Sequence, residues 1–143
     1  MFAKILVATD PAHGDETALA LETALRLLDD GGEILLMAVV SPKGTEFFPH
    51  VPEEQPDAAD EAIRGKLDVL ARKHLPHAVE RQILLCHGNS PGETIVEIAE
   101  EQRAGLIVLI SHGAGGRWPW PRHTVEYVSV NAPCAALVLR QPD

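Results

Sequence analysis

A glycine-rich segment in the last third of the chain has the composition of a phosphate-binding site. The apolar run Leu106–Ile110 is followed by Ser111–Gly113, and then by a pair of glycines, Gly115-Gly116. Glycine lets the backbone approach phosphate oxygens closely, and the free N–H groups at the start of a following helix donate hydrogen bonds to them. A buried strand, a glycine turn and a helix beginning near Thr124 therefore predict an anion site.

The loop between the turn and the helix is unusual for such a site. It reads Trp118-Pro119-Trp120-Pro121, and a proline has no backbone N–H to donate. The segment 118–121 is either a rigid lid or a patch that docks a partner. Arg122 and His123 could replace the lost amides with side-chain donors. A cation is disfavoured at a helix N-terminus, but a bound anion there would favour it. His112 either holds the turn by hydrogen bonding or contacts phosphate.

Composition and charge exclude several classes of protein. The 143 residues are predicted to form a single domain, 1–143, and the net charge of −9 disfavours nucleic acid and anionic membranes as partners. The apolar runs are too short to span a membrane, and the N-terminus lacks a signal-peptide pattern, so a cytoplasmic location is expected. Cys86 and Cys134 are expected to be buried thiols. His74 and His77 flank Pro76, and no metal site is predicted.

Hydrophobic periodicity indicates alternating strands and helices. Short apolar runs predict strands, amphipathic stripes predict helices, and Ser41–Asp57, with its four prolines, is predicted to be a long exposed loop. Ser90 is the expected N-cap of the third helix, with Pro91 at its first position and Glu93 completing a capping box. The predicted strands are Lys4–Thr9, Glu33–Val40, Val79–Cys86, Leu106–Ile110 and Ala135–Leu139, and the predicted helices are Asp15–Leu28, Ala58–His74, a segment from Pro91 to Ala104, and Thr124–Val130.

This order predicts an α/β fold: an open, doubly wound, five-stranded parallel sheet with helices on both faces, which is a Rossmann-like architecture. Ligands of such sheets lie at the carboxyl ends of the strands, where the strand order reverses. Asp10 directly follows the first predicted strand, and Val39 lies near the end of the second. Asp10 could bond a ribose or a base, or it could cap the turn formed with Pro11.

Four segments, in this order and spacing, resemble the universal stress protein (UspA) family over essentially the whole chain. They are Ile5–Asp10, His87–Ile95, Gly105–Gly113 and Ala132–Arg140. The resemblance implies the family fold of adenine nucleotide α-hydrolase-like proteins. It also implies that Val39 lends backbone groups to an adenine, and that the C-terminal strand pairs with its counterpart in a homodimer.

Family members that bind ATP carry a Gly-x-x-Gly turn, nine further residues, and then Gly-Ser or Gly-Thr. Here Ile110 replaces the first glycine, and Gly113 remains. Counting nine residues forward places the final pair at His123-Thr124, whereas alignment from Glu126 and the Ala132–Cys134 end places it at Arg122-His123. Under both counts the glycine of that pair is absent. The phosphate motif is therefore degenerate.

The first functional hypothesis is a non-catalytic cytoplasmic stress-response module that acts as a homodimer, with lost or altered nucleotide binding and an unknown protein partner. The alternative is a switch that binds ATP or AMP, with Mg²⁺, in the cleft above Asp10, Val39 and Gly113. No pyrophosphate loop, P-loop or nucleophile–base pair favours an enzyme. The candidate binding residues are Asp10, Val39, His112, Gly113, Arg122, His123 and Thr124.

Overall fold

Nine alternating elements build the protein in a computed structural model that describes residues 1–9, 14–40, 56–88, 90–111 and 122–140. Apolar runs form the strands, and the segments with a helical stripe form the helices between them. The bounds are β1 Phe2–Thr9, α1 Gly14–Leu27, β2 Leu28–Val40, α2 Pro56–His74, β3 Glu80–His87, α3 Pro91–Gln102, β4 Leu106–Ser111, α4 Arg122–Asn131 and β5 Ala135–Arg140.

The five strands form one parallel sheet in the order β3-β2-β1-β4-β5. Chain order runs outward on one side of β1 through β2 and β3, and on the other side through β4 and β5. The strand order therefore reverses between β1 and β4, where Val7 is paired with Val108. The predicted doubly wound parallel sheet is confirmed.

Alternate residues of the central strands face two separate hydrophobic cores. Ile5 and Val7 of β1 pack in the core that contains the buried residues of α1 and α2. Leu6 and Ala8 pack on the opposite face with those of α3 and α4. Because β1 is buried on both faces, it is nearly all apolar rather than alternating, as expected for a parallel sheet covered by helices.

The buried helical faces differ in detail from the predicted stripes. The sequence predicts that Ala18, Leu21, Leu25 and Leu28 face inward from α1, but the buried apolar residues are Ala20, Leu21 and Ala24, and Ala18 is only partly buried. For α2 it predicts Ile63, Leu67 and Leu70; the first two are buried, and Ala59 and Ala71 extend the stripe. Small alanines on these faces let the helices approach the sheet closely. No helix in the described ranges is both long and apolar enough to cross a membrane.

The second strand begins five residues earlier than predicted. Leu28 pairs with Phe2 rather than ending α1, and the register shifts before Lys4 pairs with Glu33. Gly31 makes this irregularity possible through its φ of 78°. A side chain at Gly32 would come within 2.8 Å of the Ala3 carbonyl oxygen. The segment between Leu28 and Glu33 is therefore an irregularity within the paired strand and not a turn between a helix and a strand.

The capping box predicted for α3 is not formed. Pro91 does occupy the first turn, but the Ser90 side chain makes no capping hydrogen bond. Instead, the Thr94 hydroxyl donates to the Ser90 carbonyl oxygen at 3.0 Å. At the other end, Arg103 takes a left-handed conformation with φ 56°, and the Ala104 N–H donates to the Ala99 carbonyl oxygen at 3.0 Å. The short link to β4 is thereby fixed.

Candidate functional site

The carboxyl ends of β1, β2 and β4 meet at the edge of the sheet where a ligand is expected. Thr9 is level with Ala38, so Val39 lies one residue farther toward this edge. Val39 is 7% exposed and pairs with Cys86 of β3. The backbone of β2 thus continues past the last residue of β1. Val39 is the residue whose backbone groups, according to the resemblance, contact an adenine.

A buried pair of hydroxyls fixes α1 over the end of β1. Thr9 Oγ1 is hydrogen-bonded to Thr17 Oγ1, and the two side chains are 5% and 1% exposed. This contact joins the last residue of the strand to the helix that follows the loop. It therefore sets the position at which the chain leaves β1 for Asp10. The sequence alone did not single out either threonine.

The hydroxyl of Thr124 is the most informative polar group at this edge. Thr124 is the third residue of α4 and is 1% exposed. Its Oγ1 is fully buried and has no hydrogen-bond partner within the described part of the chain. A buried hydroxyl without a partner costs about 1–3 kcal/mol. Such a group is therefore expected to have a partner in the functional state of the protein.

The first turn of α4 is well suited to receive an anion. Its leading N–H groups have no partner within the helix, and the helix dipole places a partial positive charge there. The turn carries no acidic residue. His123, beside Thr124, is exposed. The helix begins at Arg122, two residues before its predicted start, so the candidate residues Arg122 and His123 belong to the helix and not to the preceding loop.

A glycine contact holds α4 in place. Gly92 in the first turn of α3 faces the Tyr127 side chain, and a Cβ at Gly92 would lie 3.0 Å from the Tyr127 ring. The absence of a side chain at this position therefore permits the close approach of α3 and α4. Val128 completes the packing by filling the core beneath α4. The end of α4 that carries Thr124 is thus held by contacts farther along the helix.

Further contacts order the end of β3 at the same edge. The Gly88 N–H donates to the Val40 carbonyl oxygen at 3.0 Å. A side chain at Gly88 would lie 2.6 Å from Thr94 Oγ1. His87 Nε2 lies 3.0 Å from Asp60 Oδ2 and connects the end of β3 to α2. These contacts therefore fix the backbone at the point where the chain leaves β3.

Several predicted features lie outside the described residues. These are Asp10, His112 and Gly113, together with the Trp118–Pro121 segment and most of the Ser41–Asp57 loop. The side chain of Arg122 is outside the described part as well. Of the seven candidate binding residues, the structure therefore places Val39, His123 and Thr124 fully. His123 and Thr124 share the first turn of α4, while Val39 is the penultimate residue of β2, on the other side of β1.

The cysteines are half-buried and free rather than fully buried as predicted. Burial, with a smaller contribution from Glu101, raises the pKa of the Cys86 thiol. Burial also raises the pKa of Cys134. Both thiols therefore remain protonated at neutral pH, which makes them poor nucleophiles. Among the described residues, no group of three or more His, Cys, Asp and Glu side chains could hold a metal ion.

Comparison with known proteins supports the fold and finds a family model and solved structures that are similar to this chain. A family model described as the universal stress protein family matches residues 1–140. No curated protein matches significantly. Hypothetical protein MJ0577 is similar at 21% identity and a TM-score of 0.77, with 100% of this chain and 99% of that chain covered.

Two further similar structures hold nucleotides. A universal stress protein in complex with cAMP has 16% identity and a TM-score of 0.68, with 97% of each chain covered. A universal stress protein family protein from Arabidopsis thaliana with AMP bound has 17% identity and a TM-score of 0.66, with 98% of this chain and 92% of that chain covered. At these identities, the likeness shows the shared fold.

Proposed function

Because the chain belongs to the universal stress protein family, we propose that it is a non-catalytic stress-response protein that binds an adenine nucleotide through an altered phosphate site. The observation that carries this proposal is the buried, unpartnered Oγ1 of Thr124 in the first turn of α4. A phosphate oxygen would accept a hydrogen bond from this hydroxyl and from the neighbouring backbone N–H groups. Structures of similar fold that hold cAMP and AMP support the choice of ligand class.

The proposal places a nucleotide at this site in spite of the missing glycines. The Thr124 hydroxyl and the α4 amides would hold phosphate, and the backbone groups of Val39 would hold the base. Asp10 would bind the ribose, as the resemblance implies. His112 and Gly113 would complete the turn between β4 and the phosphate. Under this proposal, the loss of glycine at Ile110 and at the final pair alters the phosphate site without abolishing it.

A binding role without catalysis is supported by the chemistry of the placed groups. Thr124 and the α4 amides are neutral donors, and they bind an anion without activating water or a nucleophile. Both cysteines are held as thiols, as their raised pKa values indicate. We further propose a cytoplasmic location and an unidentified protein partner for the nucleotide-bound form.

The position of β5 as the outermost strand at one side of the sheet supports a homodimer. At the opposite edge of the sheet, Arg64 Nη1 donates to the Ile83 carbonyl oxygen of β3 at 3.3 Å and covers part of that edge. β5 is the last strand on the other side of the sheet, and four of its six residues are exposed. Val138 of β5 is 36% exposed, and Val130 of α4 is 81% exposed. An uncovered apolar edge strand favours pairing with another strand, and a two-fold axis would bury both copies.

Nucleotide binding is tested by thermal unfolding of the intact protein in the presence of AMP or MgATP. At a ligand concentration of about one hundred times the Kd, binding stabilises the folded state by about 2.7 kcal/mol, which corresponds to a rise in Tm of roughly 5–10 °C for a chain of this size. Adenosine and inorganic phosphate serve as controls for the two halves of the ligand. An unchanged Tm at millimolar AMP and MgATP would mean that the binding function has been lost.

A further inference from the structure

A glycine in the first turn of α3 lies against the helix that carries Thr124. A Cβ built on Gly92 would lie 3.0 Å from Tyr127 Cδ1, 3.2 Å from Tyr127 Cβ and 3.3 Å from Tyr127 Cγ. We propose that Gly92 is a positioning residue for the phosphate site, because its missing side chain lets Tyr127 pack against α3 and so sets the place of the Thr124 hydroxyl. This inference rests on the proposed function and adds to the same site a residue that acts through α4.

Tyr127 and Thr124 share one face of α4. They are three residues apart, and Val128 follows Thr124 by four residues, which are the two spacings that make neighbours on a helix surface. The rise of an α-helix separates Tyr127 from Thr124 by only about 4.5 Å along the axis. Thr124 and Val128 are 1% and 0% exposed, so this face is the buried one. A displacement of α4 at Tyr127 is therefore transmitted to the Thr124 hydroxyl.

A side chain at position 92 would move α4 and not only rotate a ring. Rotation of the Tyr127 side chain can relieve the contact with Cδ1 but not the one with Cβ, which is bonded to the helix backbone. The helix α3 is anchored by Ile95 and Ala99, which are 0% and 1% exposed. Tyr127 of α4 is 38% exposed and has more room to yield. Contacts of this length require the neighbour to give way by a few tenths of an ångström.

This displacement acts on the phosphate half of the proposed site. A hydrogen bond weakens steeply when its distance and angle depart from the optimum. Complete loss of a hydrogen bond to a charged group lowers affinity by about tenfold or more, so partial weakening should lower the AMP affinity roughly three- to tenfold. The backbone of Val39 belongs to β2, on the other side of β1 from β4. The affinity for adenosine, which lacks the phosphate, should therefore be unchanged.

Titration of the full chain with AMP and with adenosine tests the proposal on Gly92→Ala. Gly65→Ala is the matched control, since Gly65 is an exposed residue of α2 and, within the described part of the chain, no atom lies within 4 Å of a Cβ built on it. Alanine is the better helix former at both positions, so a change in helix propensity is common to the pair. We expect Gly92→Ala to lose AMP affinity roughly three- to tenfold and to keep its adenosine affinity, while Gly65→Ala keeps both.

Tyr127→Ala changes the same contact from the other side. Alone, it removes the ring that packs on Gly92 and should lower the affinity for AMP but not for adenosine. In the Tyr127→Ala background, a side chain at position 92 meets only the Cβ, so Gly92→Ala should cost about twofold or less. A general weakening of α3 would instead have the same effect in both backgrounds. This cycle uses AMP alone, so it decides the proposal even where adenosine binds too weakly to measure.

The outcomes separate the two proposals. If Gly92→Ala keeps its AMP affinity, loses AMP and adenosine affinity equally, or has the same effect in both backgrounds, then Gly92 does not position the phosphate site even though nucleotide binding stands. The same conclusion follows if circular dichroism shows Gly92→Ala to be unfolded, because the contact then serves the fold. If the unaltered protein binds neither AMP nor adenosine, then the proposed function fails and this inference fails with it.

Discussion

Replacing Thr124 with valine is expected to stabilise the free protein and to weaken its nucleotide binding. Valine keeps nearly the shape of threonine but removes the buried hydroxyl that has no partner. Removal of such a group is expected to raise the free energy of unfolding by about 1 kcal/mol. Loss of a hydrogen bond to a charged phosphate is expected to lower affinity by about tenfold or more. Urea unfolding and calorimetric titration with AMP measure the two effects.

Thr17→Val is the matched control for this experiment. Thr17 is as deeply buried as Thr124, but its hydroxyl is paired with that of Thr9. Its replacement leaves a buried partner unsatisfied, and the free energy of unfolding should fall by about 1–3 kcal/mol. Thr124→Ser, which retains the hydroxyl, should bind nucleotide nearly as well as the unaltered protein. A destabilised Thr124→Val variant with normal affinity would show that the hydroxyl serves the fold and not the ligand.

A glutamate at Val138 is expected to convert the proposed homodimer to a monomer. Val138 is exposed on the free edge strand β5. In a two-fold dimer, each such substitution acts twice, because the same patch occurs in both copies. Burial of the two added carboxylates without partners is expected to weaken association by more than about a hundredfold. Sedimentation or light scattering at micromolar protein gives the oligomeric state directly.

Val69→Glu provides the comparison for this substitution. Val69 is 56% exposed on the outer side of α2, away from β5. The same change of residue at that position should leave the mass of the assembly unaltered. Circular dichroism establishes that both variants are folded. If the unaltered protein is already a monomer, or if Val138→Glu remains a dimer, then β5 is not the interface.

Much of the fold could be predicted because its signal is local. Each buried strand has an uninterrupted apolar run, and each helix has a stripe that meets one of the two cores. The predictions are wrong where the local structure depends on a contact that the local pattern does not show. Leu28 continues a helical stripe but pairs with Phe2 in the sheet. Ser90 and Glu93 have the spacing of a capping box, but the Thr94 hydroxyl bonds the Ser90 carbonyl oxygen instead.

The site was less predictable for the same reason. The glycine pattern predicted a phosphate site before α4, and the resemblance implied a role for the Val39 backbone. The burial of the Thr124 hydroxyl, however, depends on the tertiary structure, in which α4 packs against α3 and the sheet. The contact of Gly92 with Tyr127 that supports this packing joins residues far apart in the chain. The pairing of Thr9 with Thr17 likewise requires the fold, since no sequence motif marks it.

We propose that the first turn of α4 receives the phosphate of an adenine nucleotide. Backbone amide chemical shifts of the labelled protein during titration with AMP test it most directly. We expect the amide shifts of His123, Thr124 and Val125 to change together with that of Val39 and to saturate at one common concentration, while those in the middle of α2, such as that of Val69, stay constant. Saturable changes that spare the first turn of α4, or no changes at millimolar AMP, would show that the phosphate does not bind there.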